Sequence, residues 1–404
     1  MRFPPLSTST IRGIPLRAPL FRTPLIIAAI AFVGCGAAFE DSAHSSEPAP
    51  SGVEDSSEPI RSEPGATEGR DPQQGASSAR EFAFGFWNLE NLFDTIDDPT
   101  NSGDDEFLPA KGWDDARYGR KIGRLAEAIV RLGVDLLGVC EVENQKVLDD
   151  LVAHPTLAPL GYSVAHLDSP DKRGIDMALL YRAPFTIAKQ PRAVHIWEID
   201  LGEGVPKTRG IFEANVVVDD TLLTVLVNHW PSRRGGERSV PHRRAAAETA
   251  RKVVLARLDA AKNSGREGDV LLLGDFNDDP YNDSLVKHLE AVRGKFALRG
   301  ARGANRLFNP SWKFLATPDL GTLYYSSGWN VFDQAIVSRG LLDEQGFQFV
   351  EGSLSIAGGD EMRNLRHPAH PPRWFRKYKG NWDEGFSDHF AIVGKLRWHP
   401  PEQN

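Results

Sequence analysis

From residue 81 onward, apolar runs alternate with amphipathic stretches, and the period of each run predicts its element. Residues 82–89 read as a first strand. Residues 115–132 carry Ile122, Leu125, Ile129 and Leu132 at helical spacing, with Asp114 or Asp115 to cap the start and Gly133 the end. An apolar strand over 135–142 follows at once. The same unit recurs: Ala247, Ala250, Val254 and Leu258 share one face of a helix over 243–262. Asn263-Ser264-Gly265 closes that helix, and 270–276 is again apolar. Between the two units, 176–182, 209–218 and 221–230 run like sheet strands, with Asp219-Asp220 as a tight turn joining the last two. Late strands are predicted at 332–337 and 389–396. This mixture of helices and hairpins predicts an α/β (α+β) body, with two mixed sheets packed face to face and helices outside. Residues 81–404 read as one domain.

The first 80 residues are different. Arg2, Arg12, Arg17 and Arg22 precede the apolar run Leu25 to Val33, the pattern of an export signal over residues 1–39. That run is about half of the ~20 residues that a membrane-spanning helix needs. Phe32-Val33-Gly34-Cys35 resembles a bacterial lipobox, although Phe32 stands where Leu is usual. Lipidation of Cys35 would make the product an outer-membrane lipoprotein, since Gly36 does not match an inner-membrane retention signal. Ordinary cleavage near Ala37–Ala38 would instead release a periplasmic or secreted product. Residues 40–80 are rich in Ser, Glu, Pro and Gly and nearly empty of large apolar side chains, so they are expected to form a disordered linker.

Composition adds limits. With 41% hydrophobic residues in a chain of 404, a sizeable core can form. Residues 1–39 contribute four positive charges and residues 40–80 a net six negative ones, so of the chain's −8 the body keeps −6. Contact with a polyanion must therefore come from local patches or metal ions. Two cysteines, Cys35 and Cys140, make no disulfide framework, and Cys140 sits in an apolar run as a small buried hydrophobe.

Candidate chemistry gathers where strands end. The first strand ends in Trp87-Asn88-Leu89-Glu90-Asn91 and the second in Cys140-Glu141-Val142-Glu143-Asn144. Later runs end in Asn228-His229-Trp230 and Gly274-Asp275-Phe276-Asn277-Asp278, and the last begins at Ser387-Asp388-His389. A carboxylate at the edge of a buried strand loses hydration and needs a cation or donors. A single such acid reads as a capped or salt-bridged structural residue. Several, with His and Asn partners and no Cys cluster, point to oxygen-ligated metal and phosphoester chemistry. Mg²⁺ or Mn²⁺ fits such a set better than zinc, with Ca²⁺ as a further candidate.

In this order, the five segments resemble the motif set of the endonuclease/exonuclease/phosphatase superfamily. The resemblance spans residues 82–397, and NLENLFD, CEVEN, NHWPSRRGG and VFDQAIVS resemble an exported bacterial branch of it. It implies the fold of deoxyribonuclease I, a four-layer α-β-β-α sandwich, and a catalytic domain over 81–404. By position it implies Glu141, Asn88 and Asp388 at the metal. Asp275 would orient or deprotonate the attacking water, and Asn277 would steady the phosphorane-like oxygens. His389 would face the scissile phosphate with Asp333 as its orienting carboxylate, and His229 would stand near the phosphate and leaving group. Either Asp275 or His389 could serve as general base.

Other segments read two ways. Arg233 and Arg234, in Ser232-Arg233-Arg234-Gly235-Gly236, suit phosphate binding, with a solvated basic loop capping the next helix as the alternative. Asp176, after Arg173-Gly174-Ile175, either supports the site as a substrate-side residue or caps a turn. Basic and aromatic residues interleave over 363–382, which suits a nucleic-acid backbone and stacked bases, or a surface loop anchored by its own aromatics. Trp329, Tyr324 and Tyr325 read as packing residues. The expectation is an exported nuclease acting on DNA or RNA. A phosphatase or phosphodiesterase of small phosphoesters or lipid head groups is the alternative, and a non-catalytic surface protein the third reading. A nucleic-acid substrate and a membrane reached through lipidated Cys35 are the expected partners; no protein partner is implied.

Overall fold

The computed structural model describes residues 79–400. The leader with Cys35 and nearly all of the linker lie outside the described residues. Among the described residues, no helix is long and apolar enough to cross a membrane.

Two parallel strand pairs organise the body, and a parallel pair requires a long crossover. Strand Arg80–Leu92 pairs in parallel with Leu136–Val142, and helix α1 (Asp115–Leu132) is the crossover. Its caps follow from the flanking residues. The Asp114 carboxylate accepts the Arg117 N–H at 2.8 Å, and Gly133 takes the left-handed φ of 62° that ends the helix. A shorter helix, α2 (Gln145–Ala153), follows with Asn144 as its cap. In the second pair, Thr221–His229 lies parallel to Val270–Asp275, and helix α3 (Val240–Asn263) crosses over. Helix α3 begins three residues before the predicted start because Pro241 falls in the first turn, where a missing N–H breaks no helical bond.

The first sheet has seven strands, ordered 347–349, 391–398, 80–92, 136–142, 176–181 and 163–166, with 355–357 also on 391–398. The second has eight, ordered 291–292, 307–308, 333–337, 270–275, 221–229, 211–218 and 186–187, with 194–197 also on 211–218. Asp219 and Asp220, with φ of 44° and 64°, make the tight turn between 211–218 and 221–229.

Strand alternation assigns adjacent side chains to different layers. Phe86 enters the core between the sheets, whereas Trp87 faces the layer beneath α1 and α2. In the second sheet Leu271 and Leu273 point between the sheets, and Leu272 points toward Ala246, Ala250 and Val254 of α3. Each fully buried leucine contributes about 2 kcal/mol of transfer free energy. Helices therefore cover both outer faces, the expected four-layer arrangement. The last strand is Ala391–Trp398, two residues later than expected, because His389 bridges Leu323 instead of continuing the ladder. Short strands and turns between 284 and 330 were not anticipated, since that stretch lacks a sustained period.

Candidate active site

The second sheet sets three site residues in one row. His229 lies opposite Asp275, and Asp275 opposite Asp333, across three neighbouring strands. Gly274 permits this spacing: a Cβ there would meet the Asn228 carbonyl oxygen at 2.5 Å. The first sheet brings Asn88, Glu141, Asp388 and His389 from the facing side. Its ladder breaks after Asn88↔Cys140 and resumes at Leu92↔Val142. Glu141 sits in that break with φ 60°, and Glu90 and Asn91 both have φ 52°. Such bulges re-aim side chains, and each left-handed residue stores about 1–3 kcal/mol of strain.

Asp275 is the hub. Its Oδ2 lies 3.4 Å from the Asn88 amide nitrogen, 3.7 Å from His229 Nε2 and 3.9 Å from His389 Nε2. Its Oδ1 accepts the Asn277 backbone N–H at 2.9 Å. His229 Nε2 also stands 3.6 Å from Glu141 Oε1, and His389 Nε2 stands 4.0 Å from Asp388 Oδ1. Asp333, with no exposed surface, holds His389 through Nδ1 at 2.8 Å. The Asn277 amide donates to the Trp230 carbonyl at 3.0 Å, which fixes its orientation.

Burial pushes the Asp275 carboxyl above its ordinary range, against the opposing His389 charge. His229 falls well below the usual imidazole range through burial and the positive charges of Arg209, Arg173 and His389. Burial also opposes the charge on His389, but the charge and hydrogen bond of Asp333, with Asp275 and Asp388 behind it, raise it well above that range. The two histidines are thus pushed in opposite directions, His229 toward the neutral imidazole and His389 toward the cation.

Glu141 and Asp388 line the cleft with carboxylate oxygens, the Asn88 side-chain oxygen beside them accepts the Glu90 N–H at 2.9 Å, and Cys140 is buried in the core between the sheets. Glu141 Oε2 accepts the Asn91 N–H at 3.0 Å, which leaves Oε1 toward the cleft. Hard divalent cations fit such donors.

Not every expected residue serves the cleft. Arg233 is committed to the 278–282 turn: Nε donates to the Asn277 carbonyl at 2.9 Å, and Nη2 to Asp278 at 3.0 Å and Asn282 at 2.7 Å. From the cleft wall it fastens the Asp275–Asn277 turn. Arg234 is exposed on the cleft wall. Asp176 is 2% exposed and does not line the cleft; it accepts the Ser169 N–H at 2.8 Å and faces His166 Nε2 at 2.9 Å. It braces the 169–175 loop from behind the cleft. The 363–382 segment divides between its two readings. Phe375 and Trp382 anchor against Trp113, while Trp374 and Arg376 line the cleft. Tyr324 and Tyr325 pack as expected, against Trp329 and Phe332, and also line the cleft, and Trp329 stacks on Phe390.

Several further residues belong to the site. Arg209 donates to the carbonyls of His229 and Trp230 and pairs with Asp171 at 3.1 Å. Lys121, fully buried in α1, donates to the carbonyls of Glu90 and Phe386 and places a cation behind Glu90, Asp388 and Glu141. Arg376 stands 3.6 Å from Asp388 with its guanidinium over the Trp374 ring. A lysine among the apolar positions of α1 was the one available signal for Lys121.

The cleft encloses about 660 Å³. The sequence matches the model of the Endonuclease/Exonuclease/phosphatase family over residues 83–397. No curated protein matches it. Similar solved structures include an endonuclease/exonuclease/phosphatase family protein from Bacteroides thetaiotaomicron, at 16% identity and TM-score 0.47, covering 80% of this chain and 99% of that one. A mannosyl-6-phosphatase from Bacteroides thetaiotaomicron VPI-5482 aligns at 17% identity and TM-score 0.47, over 78% of this chain and 99% of that one. The human Nocturnin catalytic domain with bound sulfate aligns at 17% and TM-score 0.45, over 79% and 94%. Matched by the family model over most of its length, the chain belongs to the endonuclease/exonuclease/phosphatase family and is a phosphoester hydrolase that works with a divalent metal ion.

Proposed function

We propose that this protein is an exported nuclease that uses Mg²⁺ or Mn²⁺ to hydrolyse phosphodiester bonds in DNA or RNA. The carrying observation is that one cleft combines the Asp275 cluster with Arg173, Arg209, Arg234 and Arg376 and the rings of Tyr324, Tyr325 and Trp374. Cations beside aromatic faces suit a nucleic-acid backbone and its bases, and they supply locally the positive field that the acidic body lacks.

Glu141, Asp388 and Asn88 would hold the ion. When bound, it neutralises phosphate charge and stabilises the departing oxygen. Asp275, with its proton affinity raised by burial, accepts a proton from the attacking water as the new P–O bond forms. Cationic His389, fixed by Asp333, presents Nε2–H to a phosphoryl oxygen. Neutral His229 and the Asn277 amide line the same pocket and orient the phosphate.

A cleft of 660 Å³ also falls within the roughly 300–1,000 Å³ typical of small-ligand sites. This favours small phosphoesters as the second reading. A plasmid-nicking assay separates the two: nicking with Mg²⁺ or Mn²⁺, abolished by EDTA and by Asp275→Asn, supports the nuclease. Turnover of a small phosphoester with no cleavage of plasmid or RNA overturns it. Export is tested by the intact mass of the mature product, which reads lipid on Cys35, cleavage near Ala37–Ala38, or neither.

A further inference from the structure

Among the described residues, two clusters of metal-compatible side chains lie outside the catalytic cluster: His166, Asp168 and Asp176, and Asp97, Asp104 and Asp105. In the first, the His166–Asp176 hydrogen bond already satisfies the buried members. The second is different. One carboxylate oxygen from each of Asp97, Asp104 and Asp105 lies within 4.8 Å of the others. Asp104 is 1% exposed; its Oδ2 accepts the Asp98 N–H at 2.7 Å, but its buried Oδ1 has no hydrogen-bond partner. Asp104 thus brings to the cluster a buried carboxylate with one oxygen left without a donor. A buried anionic oxygen without a donor is costly, and a cation resolves that cost.

The surroundings add to the demand. Asp94, Asp98 and Glu143 lie close by, and among the described residues none of the six acids forms a salt bridge. The donors are all oxygens on an irregular loop, which suits the flexible coordination of Ca²⁺ better than the strict octahedron of Mg²⁺.

We propose that the 94–105 loop is a second cation site, in which Asp97, Asp104 and Asp105 bind Ca²⁺ independently of the cleft. The bound ion braces the cleft wall. Gly103 packs so tightly on the Arg173 backbone, and Gly174 on the Asn101 side chain, that a Cβ at either position would collide. Arg173 lines the cleft, so ordering this loop holds that arginine in place.

The test uses the full chain carrying Glu141→Gln, so that the cleft no longer competes for metal, with Ca²⁺ alone as the probe in calorimetry and thermal melts. One equivalent of Ca²⁺ should bind and raise Tm. Tb³⁺ should give luminescence on tryptophan excitation that Ca²⁺ displaces, because the Trp113 indole donates to the carbonyls of Phe93 and Asp94 at the loop. Adding Asp104→Asn should abolish binding. Asp97→Asn and Asp105→Asn, at exposed positions where folding is safe, should each weaken it by about tenfold or more. The proposal is overturned if Glu141→Gln binds no Ca²⁺ up to about 1 mM, the weak end for extracellular modules. Unchanged affinity in both exposed variants, or Mg²⁺ binding as tightly as Ca²⁺, overturns it as well. None of these outcomes touches the nicking assay of the wild type with Mg²⁺, so this site and the nuclease reading fail separately.

Discussion

Asp333→Asn isolates the contribution of one carboxylate to the chemistry. Asp333 is completely buried, and its Oδ2 meets His389 Nδ1 at 2.8 Å. Asparagine keeps the shape and removes the charge. A hydrogen bond to a charged group is worth about 1.5–3 kcal/mol. If that stabilisation is expressed in the transition state, at about 1.36 kcal/mol per tenfold, kcat falls roughly 10- to 150-fold. KM should change little, because the pair does not form the cleft wall. The pH profile gives a second readout. Against the effect of burial, Asp333 is the main group holding the His389 pKa above the ordinary imidazole range. The wild type therefore keeps the His389 proton through neutral pH and loses it only as pH rises through that elevated value. In the variant, the alkaline fall in kcat should begin at lower pH. Plasmid nicking at saturating Mg²⁺ and plasmid measures both, with a thermal melt as the folding control. A kcat within about threefold of wild type, with an unmoved pH profile and an intact fold, would refute the role given to this pair.

Other variants test the remaining assignments. Arg233→Met leaves Asp278 and Asp279 without one of their cations, and should cost about 3 kcal/mol in a urea or thermal melt, the low end for breaking a buried pair. Arg234→Ala, on an exposed side chain, should raise KM for plasmid without moving Tm; the reverse pattern in this pair would overturn both roles. Burial raises Asp269 from 3.8 to about 8, so the folded state holds a proton that the unfolded chain releases. Its contribution is full below pH 3.8 and lost as pH rises toward about 8. Asp269→Asn removes that loss, so its Tm should gain on wild type between pH 5 and pH 8, and parallel curves would contradict the assignment.

Much of the fold was legible because the sheets and helices obey strict periods. The 115–132 helix was read to the residue, since Asp114 and Gly133 act locally at its ends. The site was legible for a related reason: polar groups at the ends of apolar strands are brought together when those strands share sheets. His229, Asp275 and Asp333 are far apart in the chain and adjacent in register. Arg209 and Lys121 could not be read in this way. Apart from the Arg209–Asp171 pair, their partners are backbone carbonyls at His229, Trp230, Glu90 and Phe386, which no side-chain pattern advertises. The pairing of Arg233 with Asp278 and Asp279 was not legible, because only the tertiary fold sets its basic loop against the turn that carries those acids. Tyr324 and Tyr325 sit in a short hairpin without a period, so their packing was legible and their place on the cleft wall was not.

The most direct measurement is anomalous scattering from crystals of the active protein soaked in Mn²⁺. A Mn²⁺ peak in direct contact with Glu141, with Asp388 and Asn88 around it, is predicted, and Glu141→Gln should remove it together with activity. An active protein whose Mn²⁺ lies only elsewhere, or whose Glu141→Gln variant keeps full activity, would contradict the account.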